Sequence, residues 1–226
     1  MDKSIVITII ICLVIFVPAG YIDIRNAQKK KRETYERNRA IIENKTMALQ
    51  ILNNCIRNFN VQTFLQDRFN DFVTVQIAWM EFDYDKLKEL LTDELYNQYV
   101  MQLETLKNDC SKNIMYDFKY DSSVITEAHL ENQILTVKIE LSCSFRDFIE
   151  KLGYVSRGNT RITISHTYEL TYVCNLSDKG DFCPNCGSKI DKRRNVCSYC
   201  GSIFANIPSK WVMSNKMSKY QIDTYE

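Results

Sequence analysis

Glycine and proline are scarce in this chain, six of one and three of the other. That shortage excludes the low-complexity and extensively disordered classes, which are built from them. An excess of charge is also missing, since 29 basic residues stand against 28 acidic ones. A protein whose main business is gripping nucleic acid by its phosphates carries a clear positive excess instead. Nucleophile elbows, P-loops, G-x-G-x-x-G fingerprints and H-E-x-x-H helices are absent. Histidine is limited to two residues, neither at a ligand spacing to the cysteine pairs near the end of the chain. What remains is a globular composition, 45% hydrophobic and 25% charged over 226 residues, enough for one domain of ordinary size and a small appendage.

Cysteine is the one abundant special residue. Four of the nine stand in two C-x-x-C pairs, Cys183/Cys186 and Cys197/Cys200, and the others (Cys12, Cys55, Cys110, Cys143, Cys174) are scattered. An odd total with isolated members does not suit a secreted disulfide framework and fits a reducing compartment better. Two such pairs separated by ten residues can set four thiolates around one ion, the arrangement of a structural zinc ribbon. Gly187 and Gly201 each follow the second cysteine of a pair, where glycine lets the backbone turn tightly and aim N–H groups at the sulfurs. Iron in a rubredoxin-like carrier uses similar knuckles but with a longer, aromatic segment between them. Catalytic zinc is disfavoured, because four cysteines leave no position open for water. Lys189, Lys192, Arg193 and Arg194 lie between the pairs. They offset the net charge of about −2 that four thiolates leave on one dication. Without interleaved aromatics they make a weak nucleic-acid footprint.

The run SIVITIIICLVIFVPAGYI, residues 4–22, contains no charge. Nineteen residues as a helix rise about 28 Å, close to the roughly 30 Å of a hydrocarbon core. Lys3 precedes the run, whereas Arg25, Lys29, Lys30, Lys31 and Arg32 follow it. The positive-inside rule then expects a single-pass anchor in the cell membrane, with the N-terminus outside and the soluble domain cytoplasmic. A signal peptide cleaved near Pro18-Ala19-Gly20 is the competing reading, opposed by the basic cluster directly after the apolar run. Lys29, Lys30, Lys31 and Arg32 are the candidate contacts to anionic headgroups, on a basic juxtamembrane helix over 25–50. Two sequons, at Asn44 and Asn175, would matter only in a secretory compartment.

Beyond the tether, helices come first and strands second. Ile41, Ala48, Leu52, Cys55 and Phe59 recur at helical spacing. Asn60 is a candidate N-cap for a helix presenting Leu65, Phe69, Phe72 and Trp79. Asp83 can cap a short helix with Leu87, Leu90 and Leu91, and Thr92 restarts one with Leu95, Tyr99, Leu103 and Leu106. After Ser111 the period falls to two. A strand pair is expected over Met115–Thr126. Clean alternation follows in Leu135–Cys143 and in Ile162–Cys174, joined by a short helical turn and a Gly158–Asn159 turn. KWVMS, residues 210–214, reads as a last strand. The ribbon then becomes an excursion between two neighbouring strands, where bound metal would lower the loop-closure entropy. The order gives an α+β domain, with helices covering one face of an antiparallel sheet.

Several of these residues form a recognisable pattern. Gln76-Ile77-Ala78-Trp79, Asp83 with Leu87, Thr92-Asp93-Glu94-Leu95-Tyr96, Leu103-x-x-Leu106-Lys107, Asn113 and Asp117 resemble the Tim44-like domain family. So does a zinc ribbon set before a final strand with Trp211, as in bacterial members with an N-terminal membrane segment. The resemblance covers roughly 51–218 and implies a cone-like (NTF2-like) α+β fold, with helices on a curved antiparallel sheet around a hydrophobic pocket. The expected organisation is an anchor over 1–24, the basic helix over 25–50, the domain over 51–218 with its ribbon over 180–206, and a tail over 219–226. Trp79, His166 and Tyr168 are the candidates to line the pocket. Family members of the mitochondrial type dock an import machine and bind anionic lipid. This chain lacks the long hydrophilic segment that precedes the domain there, so recruitment of a motor chaperone is not implied.

The expected function is a non-catalytic, membrane-tethered binding or scaffold domain engaging a protein partner, anionic lipid or both, with protein transport as the setting the resemblance suggests. The alternative is a small-molecule or enzymatic pocket of the same fold. His166, on an inward strand face beside Tyr168, is the best candidate for a general base there, but no carboxylate partner can be assigned to it. Third comes a zinc-ribbon nucleic-acid adaptor.

Overall fold

The computed structural model describes residues 3–177, 182, 183, 185–191, 194, 196–202 and 210–224, with side chains described from 25 to 219. The chain divides into two compact units, Met1–Asn44 and Lys45–Glu226. Among the described residues no helix is long and apolar enough to cross a membrane. The anchor expected over 1–24 lies outside the described side chains.

Four helices precede four strands: α1 (Lys3–Cys55), α2 (Val61–Glu81), α3 (Tyr84–Leu90), α4 (Asp93–Asn108), then β1 (Ser111–Glu131), β2 (Ile134–Lys151), β3 (Tyr154–Asn175) and β4 (Val212–Thr224). In its first unit α1 carries a basic stretch laced by i,i+4 ion pairs, Lys29–Glu33 at 3.9 Å and Arg32–Glu36 at 2.8 Å. Ile41 and Ile42 are 56% and 65% exposed there, so the apolar stripe that packs begins at Ala48 and not at Ile41.

In the second unit the caps form as the sequence requires. The Asn60 side chain accepts a hydrogen bond from Thr63 N at 2.9 Å, and that of Asp83 accepts one from Lys86 N at 2.9 Å. Each satisfies an orphan donor of a first helical turn. Thr92 makes no side-chain cap; its N–H donates to Met213 O at 2.9 Å instead, which ties the start of α4 to β4.

The strands form one antiparallel meander in the order β1-β2-β3-β4. Leu135, Val137, Ile139, Leu141, Cys143 and Phe145 of β2 are buried, facing Phe72 and Val75 of α2, Leu87 of α3 and Leu103 of α4 in a single core. Ala48 and Leu52, at the end of α1, belong to the same core. The outer face of the sheet is polar and charged, with Lys219 bridging Glu140 at 2.9 Å and Glu169 at 3.3 Å.

Three features differ from the sequence expectation. The pair expected over Met115–Thr126 is one long strand, β1, that turns back at Asn132 and Gln133, both at positive φ. The linker expected to be a helical turn and a Gly158–Asn159 turn is strand on both sides, and the hairpin turns at Leu152–Gly153. The last strand starts at Val212 and continues past Ser214 to Thr224, taking in residues 219–224. In all three the alternation is interrupted by bulges, so the period of two fades while the ladder continues.

Bulges on β1 and β3 flank the same stretch of β2. The β1–β2 register shifts between Tyr116 and Lys119, and the β2–β3 register jumps from Arg146↔Thr163 to Phe148↔Gly158. Asp117 and Phe118 on β1 stand against Phe145 alone, and residues 159–162 on β3 stand against Asp147 alone, so β1 and β3 carry the extra residues on either side of β2. Bulges bend the strands that carry them, so this line is where the sheet folds. Tyr116 Oη and Arg146 Nη1 both donate to Thr160 O, at 2.7 and 3.2 Å, which fastens the widest bulge down.

Candidate metal centre and binding cavity

The β3–β4 connection carries the cysteine pairs as two copies of one local structure, C-x-x-C-G-S. In the first, Cys183 N donates to Ser188 O at 2.7 Å and Gly187 N to Cys183 O at 2.8 Å. In the second, Cys197 N donates to Ser202 O at 2.7 Å and Gly201 N to Cys197 O at 3.0 Å. Both glycines adopt positive φ, +70° and +71°, the left-handed conformation that a side chain resists. Cys183, Ile190 and Cys197 are buried together beneath them.

The four sulfurs converge. Cys183 and Cys200 Sγ lie 3.7 Å apart, as do Cys186 and Cys197 Sγ, and all four fall within 4.8 Å of one another. A disulfide would need about 2.05 Å. Sulfurs set tetrahedrally at a zinc–sulfur distance of about 2.3 Å stand about 3.8 Å apart, so the cluster fits one structural Zn2+. Ser202 Oγ, 3.1 Å from Cys200 Sγ, draws that thiol down to about 5, helped by the Asn185 amide. Ser188 acts likewise on Cys186 and lowers it. Desolvation pushes Cys183 up to about 11. Thiols must lose their protons to bind a metal, and these serine and asparagine groups favour that loss on the exposed side. Among the residues between the pairs, Arg194 faces Asp191 at 3.7 Å; Lys192 and Arg193 lie outside the described residues.

A separate cavity of about 610 Å³ opens at the fold line of the sheet. Trp79 of α2, Leu106 of α4, and Phe148, Ile149 and Ile164 of the sheet form its apolar wall; Gln102, Thr105, Asn113, Asp147 and Arg157 add polar groups. That size and mixture are ordinary for a ligand site. Asn113 Nδ2 donates to Asp147 Oδ1 at 2.5 Å and to Phe148 O at 3.3 Å. Gly158 is required there: a Cβ would stand 2.9 Å from Asp147 O and 3.0 Å from Phe148 Cα and Cβ.

A family model for the Tim44-like domain matches residues 46–168, more than half of the chain. The chain belongs to the Tim44-like domain family. A zinc-ribbon model matches residues 182–203, the stretch that holds the sulfur cluster. A comparison with curated proteins finds no match.

Within this Tim44-like domain, Trp79 lines the cavity and packs edge-on against Tyr99 at 4.9 Å. His166 and Tyr168 do not line it. They lie deeper on the same strand face as Ile164, with His166 stacked between Phe145 at 4.5 Å and Tyr168 at 5.3 Å. His166 is only 5% exposed, which fits packing more than proton exchange with a substrate. Lys29, Lys30, Lys31 and Arg32 are exposed on the first unit of α1.

Two cations escaped the sequence reading: Arg68, which is buried, and Lys216, which is half-buried and holds β4 to α2. Arg68 pairs with Asp71 at 2.7 Å and lies over the rings of Phe64, Tyr172 and Trp211. Lys216 donates to Gln76 Oε1 at 2.8 Å, over the rings of Phe72 and Tyr168. The only hint in the sequence is a lysine at an inward position of the last strand, and a bulge between Met213 and Asn215 shifts the alternation that would have revealed it.

Proposed function

We propose that the protein is a membrane-tethered binding domain, held by residues 4–22 with its body on the cytoplasmic side, that engages a partner through the cavity at the fold line. The observation that carries this reading is the cavity itself. Its walls are apolar, its mouth is polar, and its half-buried carboxylate, Asp147, is engaged by Asn113, an arrangement suited to holding a partner. The Tim44-like match supports a binding or scaffold role, in protein transport or at a lipid surface, and the uncharged run followed by basic residues supports the tether. The ribbon closes the β3–β4 connection, so its zinc keeps the last strand in place under α2.

Two experiments on the full chain test this. Alkaline extraction of membranes should leave the protein in the pellet; release into the supernatant contradicts the tether. Gln102→Arg with Thr105→Arg fills the cavity mouth from exposed positions, and it should reduce co-purification of the partner at least about tenfold. His166→Ala should leave co-purification unchanged. Loss with His166→Ala and none with the double variant would favour an enzymatic pocket instead.

A further inference from the structure

The β2–β3 hairpin breaks two local rules at the same position. Lys151 pairs with Tyr154, leaving a two-residue turn, Leu152–Gly153, with φ of +50° and +83°. Turns with two positive φ values favour Asn-Gly or Asp-Gly, because a branched side chain resists the left-handed region. Here leucine occupies it, and that leucine is 72% exposed, with Tyr154 at 80% and Val155 at 48% beside it. The other hairpin of the same sheet keeps the rule, with polar Asn132–Gln133 at its turn. A costly backbone and an exposed apolar tip at one position point to a role outside the fold.

Charge indicates what covers the tip. Residues 107–112 and 149–161, the strand and helix ends around it, hold Lys107, Lys112, Lys151, Arg157 and Arg161 against Asp109 and Glu150, a net of +3. The whole chain is only +1, so everything else together is −2. At the opposite end of the sheet, residues 127–135 hold Glu127 and Glu131 and no lysine or arginine. Lys151 is paired with Asp109, while Lys107, Lys112, Arg157 and Arg161 are exposed. An apolar tip of leucine, valine and tyrosine inside a basic collar matches a bilayer interface: acyl chains meet the tip, tyrosine sits at the headgroup level and anionic lipids meet the collar. A hairpin already hydrogen-bonded along its length loses little further entropy on insertion.

We infer that the β2–β3 hairpin tip is a second membrane contact, inserting Leu152, Tyr154 and Val155 into an anionic bilayer. This rests on the tether proposed above, which keeps the body at a high effective concentration near lipid.

The test uses the full chain in nanodiscs whose acyl chains are brominated and of which about one lipid in three is anionic phosphatidylglycerol. Tyr154→Trp should lose roughly half of its added emission through contact quenching at the shallow depth of interfacial insertion, whereas His129→Trp on the opposite hairpin should lose none. The unmutated chain supplies the background from Trp79 and Trp211. Adding Leu152→Asn, which suits the turn better and so should fold at least as well, should restore most of the lost emission; zwitterionic discs should do the same. Equal quenching at 154 and 129, or none at either, overturns the inference. If alkaline extraction has already released the chain, the tether has failed by itself, and the same variants added to brominated vesicles decide the hairpin contact separately.

Discussion

Lys216 Nζ donates a 2.8 Å hydrogen bond to Gln76 Oε1, joining β4 to α2 across 140 residues of sequence. Gln76 is 3% exposed, and its Nε2 has no hydrogen-bond partner among the described residues. The amine lies over Phe72 and Tyr168, and desolvation lowers it from 10.5 to about 8, with Asp147 and Cys143 of β2 partly opposing. The last strand is therefore held by a cation that the interior disfavours.

That gives a pH prediction with a definite sign. The pKa of Lys216 is lower in the fold than in the unfolded chain, so the penalty is fully present below about pH 8. It is relieved as pH rises from about 8 toward 10.5, and stability should increase across that window by about 3 kcal/mol. Cys143, pushed up to about 12 by burial, does not titrate in it. Lys216→Met should abolish the rise. Urea denaturation of both proteins at about pH 7.5 and about pH 9.5 should capture about 2 kcal/mol of it; parallel behaviour would show that the amine titrates normally.

Metal content should be one zinc per chain. Cys200→Ser should lower zinc affinity more than about 100-fold and, because the ribbon closes the β3–β4 connection, speed amide exchange along β4 before that of β2. Gly187→Ala meets nothing within 4 Å of the added Cβ, so only the left-handed conformation is penalised. Zinc affinity should fall about fivefold, matching about 1 kcal/mol. Competition with a chromophoric chelator reads both.

Two glycines of one hairpin should behave differently. Gly158→Ala places a Cβ 2.9 Å from a backbone oxygen at φ +85°, whereas Gly153→Ala meets open space at φ +83°. The expected losses are about 2–4 kcal/mol for the first, which must also reshape the cavity, and about 1 kcal/mol for the second. Chemical denaturation of the pair compares them; equal losses would mean that the close approach at Asp147 relaxes freely.

Local signals carried much of this into the sequence. Asn60 and Asp83 read as caps because their side chains answer an adjacent helix start. Leu135 to Cys143 and Ile162 to Cys174 read as strands because one face is continuously buried. The two C-x-x-C-G-S copies needed only their own spacing. What stayed hidden depends on distant chain. β1 looks broken because bulges at Asp117 and beyond interrupt its alternation. The Leu152–Gly153 turn hides because its first residue is one that such turns avoid. His166 was placed on the correct face, but how far it lies from the cavity depends on where Phe145 and Trp79 settle.

The most direct test of the account is photo-cross-linking in intact cells from a benzophenone side chain at Gln102, on the cavity rim, compared with one at Glu140 on the outer face of the sheet. A discrete adduct in the membrane fraction from Gln102, missing from Glu140, is the predicted result. The same adducts from both positions, or none from Gln102, would contradict a partner held at the cavity.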